Sequence, residues 1–201
     1  MVPDILDRLA GRTLISRVFA VLRDAEIRPV VVVVPEERVL DATAELGDGA
    51  SVMAATADRR SSMLEALSRI RVGRVVVLDH TYPLATPDQV RAVVDGLDGA
   101  DACVAAVPAM ETLKLVEDGV IDKTVDRAEL WHLQMPQGFR SEALIAAHHR
   151  SAEHGLLSGD DVVAVDRSGG RVRIVVGSRD NLKIATITDL ELAHALVGSG
   201  E

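Results

Sequence analysis

The chain has 201 residues and a formal net charge of −9, enough length for one substantial core but short for two, and its charge opposes broad contact with a phosphate backbone and so argues against nucleic acid as a partner. It is 48% hydrophobic but only 2% aromatic, so the core must be built from Val, Leu, Ile and Ala, as buried parallel strands require. The lone Cys103 cannot form a disulfide within the chain, and no apolar run approaches the ~20 residues needed to cross a bilayer, so a single cytoplasmic domain over residues 1–201 with no membrane contact is expected.

Leu14, Ile15, Val18, Phe19 and Leu22 recur at helical spacing, and residues 27–34 are then almost continuously β-branched, which predicts a helix followed by a buried strand. Residues 39–46 read as a helix, 51–55 as a short strand and 62–70 as a helix carrying Met63, Leu64, Leu67 and Ile70 inward. A second buried strand over 74–78 ends in Asp79-His80, a helix over 87–97 leaves through Gly99, and a third buried strand covers 102–107. Alternating strands and helices predict parallel pairing, with ligands at the carboxyl ends of the strands. Farther on, Asp118-Gly119 separates Leu113, Leu115 and Val116 from Val120 and Ile121, the signature of a β-hairpin. Ser141 caps a helix reaching about residue 153, Asp160-Asp161 precede a short one, 172–176 is the last strand, and a polar bridge over 177–183 leads to a terminal helix that begins at Thr188 or Asp189.

The informative stretch is 107–139, VPAMETLKLVEDGVIDKTVDRAELWHLQMPQGF. Taken singly, Asp126-Arg127 is a surface ion pair worth at most about 1 kcal/mol, and the only Trp is a core or interface residue. As an ordered set these residues resemble the central motif of the methylerythritol 4-phosphate cytidylyltransferases of isoprenoid biosynthesis, which join CMP to a sugar-alcohol phosphate. That motif runs Asp-Thr-hydrophobic-Lys, a hairpin arm, Thr-x-Asp-Arg-x-x-Leu-Trp and Gln-Thr-Pro-Gln-x-Phe; Glu111 and Met135 depart from it here.

Three further blocks are similar to the family's. Asp58-Arg59-Arg60-Ser61-Ser62 resembles the segment that approaches the cytosine nucleotide, matching at Arg59 and Ser62. Leu78-Asp79-His80-Thr81-Tyr82-Pro83 keeps Asp79, which the resemblance places on magnesium or ribose hydroxyls, but has Tyr82 in place of an arginine. Asp180-Asn181-Leu182-Lys183-Ile184 resembles the segment whose lysine neutralises phosphate charge.

The resemblance therefore implies a Rossmann-like nucleotidyltransferase sandwich with a mostly parallel sheet and a projecting β-arm over about 112–124 that joins two subunits into a homodimer. It also implies CTP and a sugar-alcohol phosphate as ligands, magnesium as cofactor, Thr112 and Arg127 on the sugar phosphate, and Lys183 with Arg127 as catalytic cations. The family's Gly-rich triphosphate loop falls upstream of Met1, and Pro3-Asp4 stands about where the family has Pro-Lys. These departures imply weak or lost turnover, because catalysis here is charge neutralisation. They also fit a second expectation, a non-catalytic dimeric paralogue, or pseudoenzyme, with a ligand-binding or regulatory role. A third is a ribitol-phosphate cytidylyltransferase. His148, His149 and His154 lack metal-ligand spacing.

Overall fold

Strands and helices alternate through the first half of the chain, as the hydrophobic pattern predicts. The computed structural model describes residues 3–153 and 160–198. A tight hairpin, β1 (Arg8–Leu9) and β2 (Arg12–Thr13), precedes α1 (Leu14–Asp24), whose first turn is capped by Thr13 Oγ1 accepting from Ser16 N. Strand β3 (Val31–Val34), helix α2 (Val39–Leu46) and strand β4 (Ser51–Ala54) follow, and β3 and β4 pair in parallel. The predicted strand over 27–34 is shortened from its start: Glu26 takes a positive φ of 62° and Pro29 carries no N–H for a ladder. Ile27 and Val30 instead pack against Leu22, Ala25 and Val90.

Helix α3 (Arg59–Arg69) begins three residues earlier than its apolar pattern, because Asp58 accepts the Ser61 N–H at 2.7 Å and caps it. Strand β5 (Arg74–Val77), helix α4 (Pro87–Asp95) and strand β6 (Ala102–Pro108) come next. Thr86 and Gln89 close a capping box at the start of α4. The Asp118-Gly119 turn has both residues at positive φ and joins β7 (Leu113–Glu117) to β8 (Val120–Val125).

The returning chain does what periodicity did not predict. It forms β9 (Trp131–Arg140), which runs antiparallel to β6 on one edge and to β5 on the other. The sheet order is β10-β6-β9-β5, with β10 (Val172–Val176) parallel to β6. Because the arm reverses the chain, no crossover helix is needed and the pairing becomes antiparallel; the sheet is thus less uniformly parallel than the alternation implied. Helices α5 (Ser141–Glu153) and α6 (Asp161–Arg167) cover one face, and α7 (Ile187–Gly198) closes the chain. Phe139 on β9 is fully buried with Ala102, Val104, Leu144, Ala147 and Val165.

The two parallel strands β3 and β4 form a sheet of their own. Among the described residues β3 pairs only with β4 and β5 only with β9, so each keeps one edge without a strand partner.

Phe139→Ala removes the largest buried side chain of the β9 face. It is expected to lower stability by about 3–5 kcal/mol, read as a fall in the urea midpoint at unchanged slope.

Candidate functional site

The carboxyl ends of β5, β6 and β10 deliver three of the predicted segments. Beyond β5, Asp79 Oδ1 accepts the Thr81 N–H at 2.9 Å and lies 3.2 Å from His80 Nδ1. Burial disfavours the charged carboxylate, but the His80 hydrogen bond, the Thr81 N–H and the imidazolium charge outweigh it and hold Asp79 well below the usual carboxylate range. Burial likewise opposes the charge on His80, and Asp79, the Pro3 carbonyl and Asp4 together reverse that, so its pKa is raised. The Tyr82 phenol is pushed up, first by burial and then by the negative charges of Asp79 and Asp160.

Lys183 comes to the same place from the other side. The Ile184 N–H donates to the Thr81 carbonyl at 2.7 Å, which sets the exposed lysine one residue from a backbone bond to the Asp79 loop. At the root of the arm, Thr112 and Arg127 line one cleft of about 380 Å³ with Thr124, Val125 and Asp126. Arg127 donates through Nη1 to the Met110 carbonyl, which fixes the guanidinium against the end of β6. Arg179, from the Lys183 segment, reaches the Pro108 carbonyl at 3.4 Å. The segment thus touches both the Asp79 loop and the arm root.

Arg59 and Ser62 have structural partners of their own. Ser62 Oγ donates to the Asp58 carbonyl and accepts the Thr56 N–H, both at 2.9 Å, folding the loop between β4 and α3. Arg59 Nη2 lies 2.6 Å from Oδ2 of Asp161, whose side chain is 1% exposed, and the other carboxylate oxygen lies 3.1 Å from His148 Nε2. Burial opposes the Asp161 charge, and His148 and Arg59 overcome it, leaving its pKa lowered. Sequence reasoning missed this set because Arg59 and Asp161 stand 102 positions apart; the acidic pair at the start of α6 was its only signal. His154 lies outside the described residues.

Asp4 also finds compensation. Its Oδ2 takes Arg38 Nε at 3.1 Å and Nη2 at 2.9 Å, while Oδ1 accepts the Leu6 N–H. No cluster of three His, Cys, Asp or Glu side chains suited to a metal occurs among the described residues, and no helix among them is long and apolar enough to cross a membrane. Asp79 itself suits magnesium, which takes one or two carboxylates together with substrate phosphates: it is ionised and stands at a strand's carboxyl end.

The family model for 2-C-methyl-D-erythritol 4-phosphate cytidylyltransferase matches residues 2–199. The protein of that name from Deinococcus radiodurans is 33% identical over 196 residues, covering 98% of this chain and 82% of that protein. The one from Salinibacter ruber is 40% identical over 173 residues, covering 83% and 73%. The bifunctional enzyme IspD/IspF of Rhodospirillum rubrum is 38% identical over 149 residues, 72% of this chain but only 38% of its own length. Among solved structures, the 2-C-methyl-D-erythritol 4-phosphate cytidylyltransferase of Thermus thermophilus superposes with a TM-score of 0.84 at 29% identity, over 98% of this chain and 94% of that one.

A raised His80 pKa gives stability that is complete below about pH 6.5 and is lost as pH climbs through the folded value. His80→Gln is expected to flatten the fall in melting temperature between about pH 6 and 8.5, an effect of about 1 kcal/mol, followed by thermal unfolding across that range.

Proposed function

The chain belongs to the 2-C-methyl-D-erythritol 4-phosphate cytidylyltransferase family, and we propose that it binds CTP and a sugar-alcohol phosphate of the methylerythritol type and transfers CMP slowly. The observation that carries this reading is the Ile184–Thr81 backbone bond, which brings the Lys183 segment to the Asp79 loop. In the reaction a phosphate oxygen of the sugar phosphate bonds to the α-phosphorus of CTP, the bond to the bridging oxygen breaks, and pyrophosphate leaves.

No covalent nucleophile is required, so the protein contributes position and charge. Lys183 neutralises the charge that gathers on the triphosphate. Thr112 and Arg127 hold the sugar phosphate in their shared cleft, and Arg127 then opposes its charge. Asp79 is the residue that would hold magnesium, which when bound supplies further neutralisation of the phosphates. Arg59 and Ser62 border the nucleotide side, with Arg59 already steadied by Asp161.

Slow turnover follows from particular substitutions. Tyr82 stands in place of a family arginine, Met135 in place of a threonine and Asp4 in place of a lysine. Losing one charge-stabilising donor costs about 2.7–4 kcal/mol of barrier, a hundredfold to a thousandfold in rate. The Asp4–Arg38 pair favours the second reading, a non-catalytic dimeric paralogue, because there a reversed charge is bound into the fold rather than left free for phosphate.

Dimerisation through the arm is part of the same proposal. Leu115, Val116, Val120 and Ile121 are 48%, 58%, 69% and 60% exposed on a two-stranded ribbon. Such a hairpin is marginal alone, and the exposed apolar pair Val116–Ile121, directly opposite across its two strands, suits an interaction surface.

With CTP, magnesium and 2-C-methyl-D-erythritol 4-phosphate at high protein concentration, slow pyrophosphate release is expected and should vanish in Lys183→Ala. Folded protein without turnover would favour the paralogue, and competition by ribitol phosphate would redirect the substrate assignment. Light scattering is expected to give twice the 21.5 kDa chain mass; a monomer mass at every concentration would remove the arm from assembly.

A further inference from the structure

Two buried side-chain amides join β9 to the Lys183 segment, each bonded to the backbone of the opposite element. Gln134, 8% exposed, donates through Nε2 to the Ser178 carbonyl at 2.8 Å and to the Asn181 carbonyl at 3.1 Å, while its Oε1 accepts the Ser178 N–H at 3.2 Å. Asn181, 1% exposed, answers by donating through Nδ2 to the Met135 carbonyl at 2.6 Å. A Cβ at Gly177 would clash with Gln134 Oε1, so the glycine keeps the strand amide and the segment in contact.

An apolar pair would fill the same space without fixing a direction, whereas these amides set the segment's backbone by hydrogen bonds at named atoms. On the far side, Ile184 is fully buried against Leu9, Leu14 and Ala193, and its N–H is held by Thr81. Only Leu182 and Lys183 lie between the two anchors. With both ends fixed, the Cα of Lys183 has little freedom relative to Asp79.

Resting on the cytidylyltransferase reading, we infer that Gln134 and Asn181 are positioning residues for Lys183: they act through the backbone of 178–181 to aim its ammonium at the phosphates. Neither touches the reacting atoms. Their effect is on rate rather than on nucleotide affinity.

The test uses Gln134→Met, which keeps volume and removes three hydrogen bonds, and Asn181→Asp, which keeps shape and removes the donor to Met135. Lys183→Ala is the reference. The only lysines are Lys114, Lys123 and Lys183, so reductive methylation with a carbon-13 label gives Lys183 its own resonance while keeping its charge. Titration with inorganic pyrophosphate reads the lysine's placement without any turnover.

In the folded variants kcat is expected to fall about a hundredfold, the size of effect a displacement of the order of 1 Å produces, with KM for CTP within about threefold of the parent. The chemical-shift change of the Lys183 resonance at saturating pyrophosphate should shrink toward zero, because the ammonium is displaced from the anion while the anion's affinity is kept by its other contacts. A kcat and a resonance response both like the parent's in either folded variant would overturn the inference. So would a parent Lys183 resonance indifferent to pyrophosphate. A responsive parent resonance that both variants weaken, in a protein without turnover, would uphold the positioning role while sinking the catalytic reading.

Discussion

The ladder that β9 forms with β5 on one edge and β6 on the other is the constraint on which the rest of the structure depends. Its carboxyl half, through Phe139, closes the core beneath α5 and α6. Its amino half carries Gln134 and the Met135 carbonyl, the two points to which the Lys183 segment is tied. One strand therefore fixes both the packing and the chemistry. It reaches the middle of the sheet only because the arm turns the chain back at Asp118-Gly119.

Charge is distributed with the same economy. The chain is acidic overall, yet three carboxylates of the candidate-site segments are paired: Asp79 with His80, Asp161 with Arg59 and His148, Asp4 with Arg38. Each pairing limits the repulsion that the proposed phosphate ligand would meet. Asp161 is deeply buried and so depends on its partners, since removing one would leave a desolvated charge. Lys183, by contrast, is exposed and held from its backbone, leaving the ammonium to meet a ligand.

Much of this was legible in the sequence, and the reasons differ from element to element. The α1 and α4 patterns repeat at helical spacing with caps at their starts, and β6 is a continuous apolar run, so local chemistry was enough. Strand β9 hides itself. Gln134 and Gln137 face inward and Pro136 interrupts its N–H series, features that ordinarily argue against a central strand. The ladder accommodates them with a register shift between Val104 and Ala106, opposite the proline-containing stretch. Thr112 and Arg127 could be grouped from the motif that carries them, but the burial of Asp161 against Arg59 could not be read from composition or spacing.

By itself the sequence determined the alternation of strands and helices, the hairpin turn, the family and the segments that carry its chemistry, because these rest on local periodicity, turn geometry and ordered motifs. Only the tertiary structure decided which residues meet: that β9 enters the sheet antiparallel, that Arg59 lies against Asp161, that Arg38 compensates Asp4, and that two amides seat the Lys183 segment beside Asp79. Such contacts join residues tens of positions apart, and buried polar groups choose their partners from whatever the packed core brings within hydrogen-bonding reach.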